Sequence, residues 1–194
     1  MLSLPYPAHG GERGTSLVEV LVTLMILAFG LLGVAGMQAK VGVAEMESYQ
    51  RAQALLALSQ MTERLTANSA QAANYVGNAG TGDGQPASCT GIAPGPNRDL
   101  CEWSNTLKGA GEQSAGANIG GMVGARGCIT QVQAANPALG VCTAGVYQVS
   151  VAWQGLVPTA ATPGLACAAG SYGANDAFRR VVAATVSVPT TSCY

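Results

Sequence analysis

Twenty consecutive residues, Val20 to Ala39, carry no charge, and an acid, Glu19, stands directly in front of them. Ten of the fifteen residues from Val20 to Val34 are Leu, Ile, Val or Phe. Each contributes about −0.3 to −0.6 kcal/mol at the centre of an inserted helix, a sum on the order of −3 to −6 kcal/mol. One carboxylate in hydrocarbon costs roughly 2.5–3.5 kcal/mol on the same scale, so the run tolerates Glu19. At ~1.5 Å per residue, twenty residues cover the ~30 Å hydrocarbon core of a bilayer. A buried core helix would be shorter and would keep a polar face, which this run lacks. The sequence therefore predicts a membrane-spanning helix, and the position of Glu19 demands a reason of its own.

A secretory signal peptide does not supply one. It needs a basic n-region, a short apolar core and a small-residue cleavage site after that core. Here the apolar run is too long, and Gly36 or Ala39 would make a weak site. A cut upstream, after Gly14, would leave the anchor in the mature chain. The text Arg13-Gly14-Thr15-Ser16-Leu17-Val18-Glu19-Val20-Leu21-Val22 resembles the class III signal of type IV prepilins. That signal has a polar leader ending in Gly and a Glu at the fifth mature position, followed by an unbroken apolar helix. Gly14 matches the residue before the cut, Thr15 the first mature residue and Glu19 the fifth. Continuing through Leu27-Ala28-Phe29-Gly30-Leu31-Leu32-Gly33-Val34-Ala35-Gly36-Met37-Gln38, the wording is similar to that of PilV-type minor pilins.

The resemblance implies prepilin peptidase cleavage between Gly14 and Thr15, N-methylation of Thr15, and pairing of Glu19 with a neighbouring subunit's amine. The physical chemistry agrees. Cleavage creates an α-amine four positions before Glu19, and positions i and i+4 share one helix face. In an apolar setting a lone charge is expensive and a pair is attractive, so partner choice gains specificity. The resemblance further implies a low-copy subunit of the type IV pilus near its tip, in a priming complex that starts pilus assembly and supports display of an adhesin in cell adhesion. Its partners would be other minor pilins and the major pilin, the prepilin peptidase, the inner-membrane assembly platform and the tip adhesin. A type II secretion pseudopilin, or a bitopic periplasmic protein that binds a ligand, are the alternative readings.

Six cysteines, Cys89, Cys101, Cys128, Cys142, Cys167 and Cys193, all follow the apolar run, and none forms a C-x-x-C. An even count beyond a membrane span, in a Gly-rich domain, reads as three disulfides in an oxidising periplasm rather than as a metal site. Six cysteines allow fifteen pairings. Pairing of neighbours, Cys89–Cys101, Cys128–Cys142 and Cys167–Cys193, is expected because each closes a local loop.

The predicted architecture is α+β and pilin-like, with a long N-terminal helix packed by a small antiparallel sheet and disulfide-tied loops. Residues 1–14 form the leader, 15–39 the transmembrane and assembly half of the helix, 40–67 its amphipathic half, and 68–194 a periplasmic head. In the amphipathic half Ala54, Leu58, Met61 and Leu65 make an apolar stripe at i, i+4, i+7 and i+11. Gly30, Gly33 and Gly36 recur at every third position, as a packing face for neighbouring helices or as a locally softer stretch. Residues 77–127 read as mostly turns. Strands are expected over 129–133, over 146–154 with Tyr147, Val149, Val151 and Trp153 on one face, and over 179–188 with Val182, Ala184, Val186 and Val188 inward. The stretch 158–176 reads as a long loop tied by Cys167, and Trp103 beside Cys101 as an anchor.

Nothing points to catalysis or to a cofactor. The only histidine, His9, lies in the leader, which removes the commonest general base and the commonest metal ligand from the mature chain. Gly80-x-Gly82-x-Gly84 lacks the strand–helix frame and the Lys of a phosphate cradle. Asp83 reads as a turn former rather than a calcium ligand, Arg98, Asp99 and Glu102 as a solvated surface, and Arg179-Arg180 as an edge. With a net charge of −1 and 10% charged residues, the chain shows no patch fit for nucleic acid. No enzyme, no metal and no direct nucleic-acid partner are expected.

Overall fold

A computed structural model describes residues 14–160 and 162–190. The leader up to Arg13, with His9, lies outside the described residues, as does Cys193. The chain divides into two compact units, Met1–Ala44 and Glu45–Tyr194.

The first helix, α1 (Leu17–Ala67), contains no proline and belongs to both units. It opens where the Ser16 carbonyl accepts from the amides of Glu19 and Val20, at 2.9 and 3.2 Å. In the first unit every described side chain is exposed. In the second unit the predicted stripe is buried: Ala54, Leu58, Met61 and Leu65 are joined by Gln50 and Ala57. The helix stops at Ala67, and a 3₁₀ segment, Ser69–Tyr75, follows.

The second unit carries a four-stranded antiparallel sheet in the order β1-β4-β5-β6, with β1 (Gly77–Gly80), β4 (Arg126–Gln133), β5 (Gly145–Gln154) and β6 (Arg179–Val188). A separate small hairpin joins β2 (Gln113–Ser114) to β3 (Ala117–Asn118). The three expected strands are β4, β5 and β6. Tyr147, Val149, Val151 and Trp153 of β5 face the core with Ile129 of β4, as period-two alternation requires.

Two features here were not expected from the sequence. Residues 77–127 are irregular over most of their length, but they also contain β1 and a three-turn helix, α2 (Pro96–Leu107). Proline suits the first turn of α2, where an amide would lack an intrahelical partner. Cys101, Trp103, Ser104 and Leu107 then fall on one buried face. The outer face of β5 is covered as well. Ser150 and Ala152 are buried, because the segment after β5 folds back and covers them with Cys167 and Tyr172.

Gly80 and Gly127 fix how closely the layers approach. Gly80 has φ +96°, and a Cβ there would meet the Ala125 carbonyl oxygen at 2.5 Å. At Gly127 a Cβ would run into the indole of Trp103, so the bare backbone of β4 is the floor on which that ring lies.

The disulfides correct the neighbour rule in part. Cys89–Cys101 forms as expected. Cys128, however, bonds Cys167, 39 residues on, and not Cys142; Cys167 is therefore not the partner of Cys193. Strand alternation supplies the reason. Ile129 points into the core, so its neighbour Cys128 points to the outer face of the sheet, where the returning segment brings Cys167. Cys142 is disulfide-bonded too. In the chain-entropy model the 12-residue loop contributes about 3 kcal/mol and the 39-residue loop about 4 kcal/mol.

Candidate functional site

The residues singled out before the apolar run sit at a change of backbone state. Gly14, Thr15 and Ser16 are non-helical and exposed, and the helix begins two residues after Thr15. The Gly14–Thr15 bond therefore lies outside the helix and is exposed. Glu19 lies in the first helical turn, where the exposed amides of the helix end favour a negative charge. Thr23, the one other polar residue before Gln38, returns its hydroxyl to the Val20 carbonyl at 2.8 Å and so places no unpaired donor in the run.

Beyond Glu19 the helix is long and apolar enough to cross a membrane, with a mean hydropathy of 2.5 over eighteen residues and none of that window buried. Leu24, Ile26, Leu27, Phe29, Leu31 and Leu32 are each at least 60% exposed. Gly30, Gly33 and Gly36 have open space where a Cβ would be. Nothing among the described residues explains why these three positions lack side chains.

In the second unit, three polar ties hold the head to its helix. Arg64 donates to Asp99 at 2.8 Å and to Glu102 at 2.7 Å, and Arg98 reaches the other oxygen of Glu102 at 2.9 Å. Tyr75 donates to the second oxygen of Asp99, a short bond, and receives the Asn68 amide. Trp103 donates its indole N–H to the Ala57 carbonyl, 2.8 Å away and 46 residues distant. Glu47 accepts from Arg180 at 2.8 Å and from the amides of Leu156 and Val157.

These ties revise the roles expected of several residues. Arg98, Asp99 and Glu102 are not an idle solvated surface but one side of a network centred on Arg64. Arg179 lies on the edge strand β6 but is not a surface residue. It is 5% exposed, and its guanidinium donates to the carbonyls of Leu165, Cys167 and Thr162 and pairs with Asp176, fixing the returning segment. A signal for α2 was present in the sequence: Pro96, an i,i+4 Arg98–Glu102 pair, and apolar residues at 100, 103 and 107.

No protein-family model, curated protein or solved structure matches this chain. What the residues can do follows from their own geometry. The first unit offers an unburied apolar helix, while several titratable groups of the head are tied into its structure. Arg64 and Arg98 hold the Glu102 carboxyl below its usual range. Burial would raise the Asp83 carboxyl, but hydrogen bonds from Lys108 and from the amides of Gln85 and Gly80 outweigh it and lower it. Asp83 thus caps its Gly-rich turn as expected, closed by Lys108 at 2.6 Å. Burial, reinforced by the bond to Asp99, pushes the Tyr75 phenol up to about 12.

Proposed function

We propose that this chain is a minor pilin of the PilV type. Residues 15–39 hold it in the bacterial inner membrane with its head in the periplasm, and it then enters a type IV pilus near the tip. There it takes part in a priming complex with other minor pilins, starts assembly and supports an adhesin. Its work is assembly, with no catalytic site and no cofactor. The observation that carries the reading is the reachable Gly14–Thr15 bond placed four residues ahead of a charge that opens an unburied apolar helix.

In the uncut chain the Thr15 nitrogen is an uncharged amide and offers Glu19 no cation. Hydrolysis adds water across the bond, leaving a carboxylate on Gly14 and an ammonium on Thr15. With a pKa near 8, that amine is mostly charged at neutral pH. The apolar surface of the first half gives the mature subunit a second environment, in lipid before assembly and among other helices afterwards. Both stored and assembled states need a helix that is apolar on every side.

Mass spectrometry of the native protein tests this. A mature chain starting at N-methyl-Thr15 is expected, and residues 1–14 still attached would overturn the proposal. Glu19→Leu is expected to insert normally and to be missing from sheared pili. Recovery of the protein with a secretion channel instead of with pili would favour the pseudopilin.

A further inference from the structure

We propose that the head carries a carboxylate-binding pocket centred on Arg126, independent of its role in a filament. Five cations belong to residues 68–194: Arg98, Lys108, Arg126, Arg179 and Arg180. Among the described residues four of them pair with a carboxylate and Arg126 does not. A half-buried guanidinium is usually paired, because its desolvation otherwise goes uncompensated.

Arg126 opens β4 and borders a cavity of about 330 Å³. That volume falls at the lower end of small-ligand sites. Asn78 and Thr81 give its lining polar groups, and Ala79 and Ala168 give it apolar surface. The open approach depends on Gly82, whose φ is +84°: a Cβ at that position would stand 3.7 Å from both terminal nitrogens of Arg126. The Tyr172 phenol lies beside the guanidinium, but its own proton is given to the Gly124 and Ala152 carbonyls.

The one acid on the cavity wall decides the class of ligand. Asp83 already accepts from Lys108 and from the amides of Gly80 and Gln85, so its oxygens are engaged away from Arg126, and as a carboxylate it offers a ligand no donor. Its negative charge nevertheless penalises a dianion such as phosphate more than a monoanion. A planar carboxylate matches the fork of a guanidinium through two parallel N–H···O bonds. Thr81 and Asn78 supply further polar contacts in the lining, and the alanines accept a small apolar group. The ligand is a monocarboxylate, either a free small acid or the carboxylate of a bound polypeptide.

Nuclear magnetic resonance on the full chain in detergent micelles, with labelled arginine side chains, tests the assignment. Titration with sodium acetate should move the Arg126 Nε–H signal to saturation while the exposed Arg51 signal stays in place. Inorganic phosphate should bind at least tenfold more weakly. Arg126→Gln should abolish saturable acetate binding, and Arg126→Lys should weaken it about tenfold by losing the fork. A capped peptide with a free C-terminal carboxylate distinguishes the sources: tenfold tighter binding than acetate identifies a polypeptide ligand, and equal binding a small acid. Equal movement of Arg51 and Arg126 would overturn the proposal. So would an unmoved Arg126 signal in the unsubstituted protein, or undiminished binding by a folded Arg126→Gln.

Discussion

The two halves of α1 are built from similar residues and meet opposite fates. Before Glu45 the helix exposes Leu24, Leu27, Phe29 and Leu31; after it, Leu58, Met61 and Leu65 are almost wholly buried. Helix propensity does not explain their different burial, since the large apolar residues Leu and Met rank alike and both halves are helical. The arrangement does. The first half is apolar all round, whereas the second confines its apolar residues to one stripe and gives Arg51, Glu63 and Arg64 to the other sides. A stripe specifies one partner surface, which the head of the same chain supplies. An all-round apolar surface specifies only an apolar medium. The lesson is that one continuous helix can be a folded element at one end and an unpartnered one at the other.

The widest separation between the halves comes from aromatic truncation. Trp103 fills the space between α1 and β4, is fully buried and ties Ala57. Trp103→Ala should cost about 3–5 kcal/mol, whereas Phe29→Ala should leave head unfolding within about 0.5 kcal/mol of the parent. Urea unfolding in micelles, followed by circular dichroism, measures both. A head insensitive to Trp103 would remove the anchor on which the comparison rests.

Within the helix itself the matched pair is Met61→Ala against Leu31→Ala. The first opens a cavity at a fully buried position and should cost about 2–5 kcal/mol. The second truncates a side chain that is 69% exposed and lies outside the head, so the head's midpoint should stay within about 0.5 kcal/mol. Equal losses would mean that the two halves unfold as one unit.

Acidity sharpens the contrast further, because the held carboxylates lie in the head. Asp83 and Glu102 are depressed, so their contribution is complete above the ordinary carboxylate pKa of about 4. It disappears as pH falls through their lower folded values. Tyr75 has the opposite sign: its contribution is present below its ordinary pKa near 10 and is lost as pH rises towards about 12. Head stability should therefore fall at both extremes. Glu102→Gln should flatten the acid limb and Tyr75→Phe the alkaline one, both read from urea midpoints across roughly pH 2–12. An acid limb unchanged in Glu102→Gln would mean that the Arg64 network does not couple to folding.

How much of this was legible depends on how far the determining contacts lie along the chain. The helix to Ala67, the stripe at 54, 58, 61 and 65, and the alternation of β5 are periodic signals contained in one segment. The apolar run and its leading acid are equally local. The helix α2 was obscured because Pro94-Gly95-Pro96 reads as a turn, although proline at a first helical position does the same work in either structure. Arg179 and Arg180 could not be assigned from sequence, since their partners lie in a returning loop and 133 residues away at Glu47. The Cys128–Cys167 bond follows the same logic: minimal loop length favours neighbours, but which face of β4 a cysteine occupies, and what covers that face, depends on the whole sheet.

The smallest expected change concerns the three glycines of the exposed half. Within the chain each position has room for a methyl group, and alanine is the better helix former by about 1 kcal/mol in a helix interior. Gly33→Ala should therefore make the isolated subunit's helix slightly more protected in amide hydrogen exchange, with head stability unaltered. If Gly33 serves a neighbouring helix, as the proposed filament requires, the same methyl group intrudes where two backbones approach, and incorporation into pili should fall even as the subunit grows more stable. Two readings of glycine thus predict opposite results from one substitution. Improved exchange protection with unchanged incorporation identifies local softness as the only role. Improved protection with reduced incorporation identifies a contact that no single subunit contains, and it would extend the comparison: the second half finds its partner within the chain, the first half in another copy.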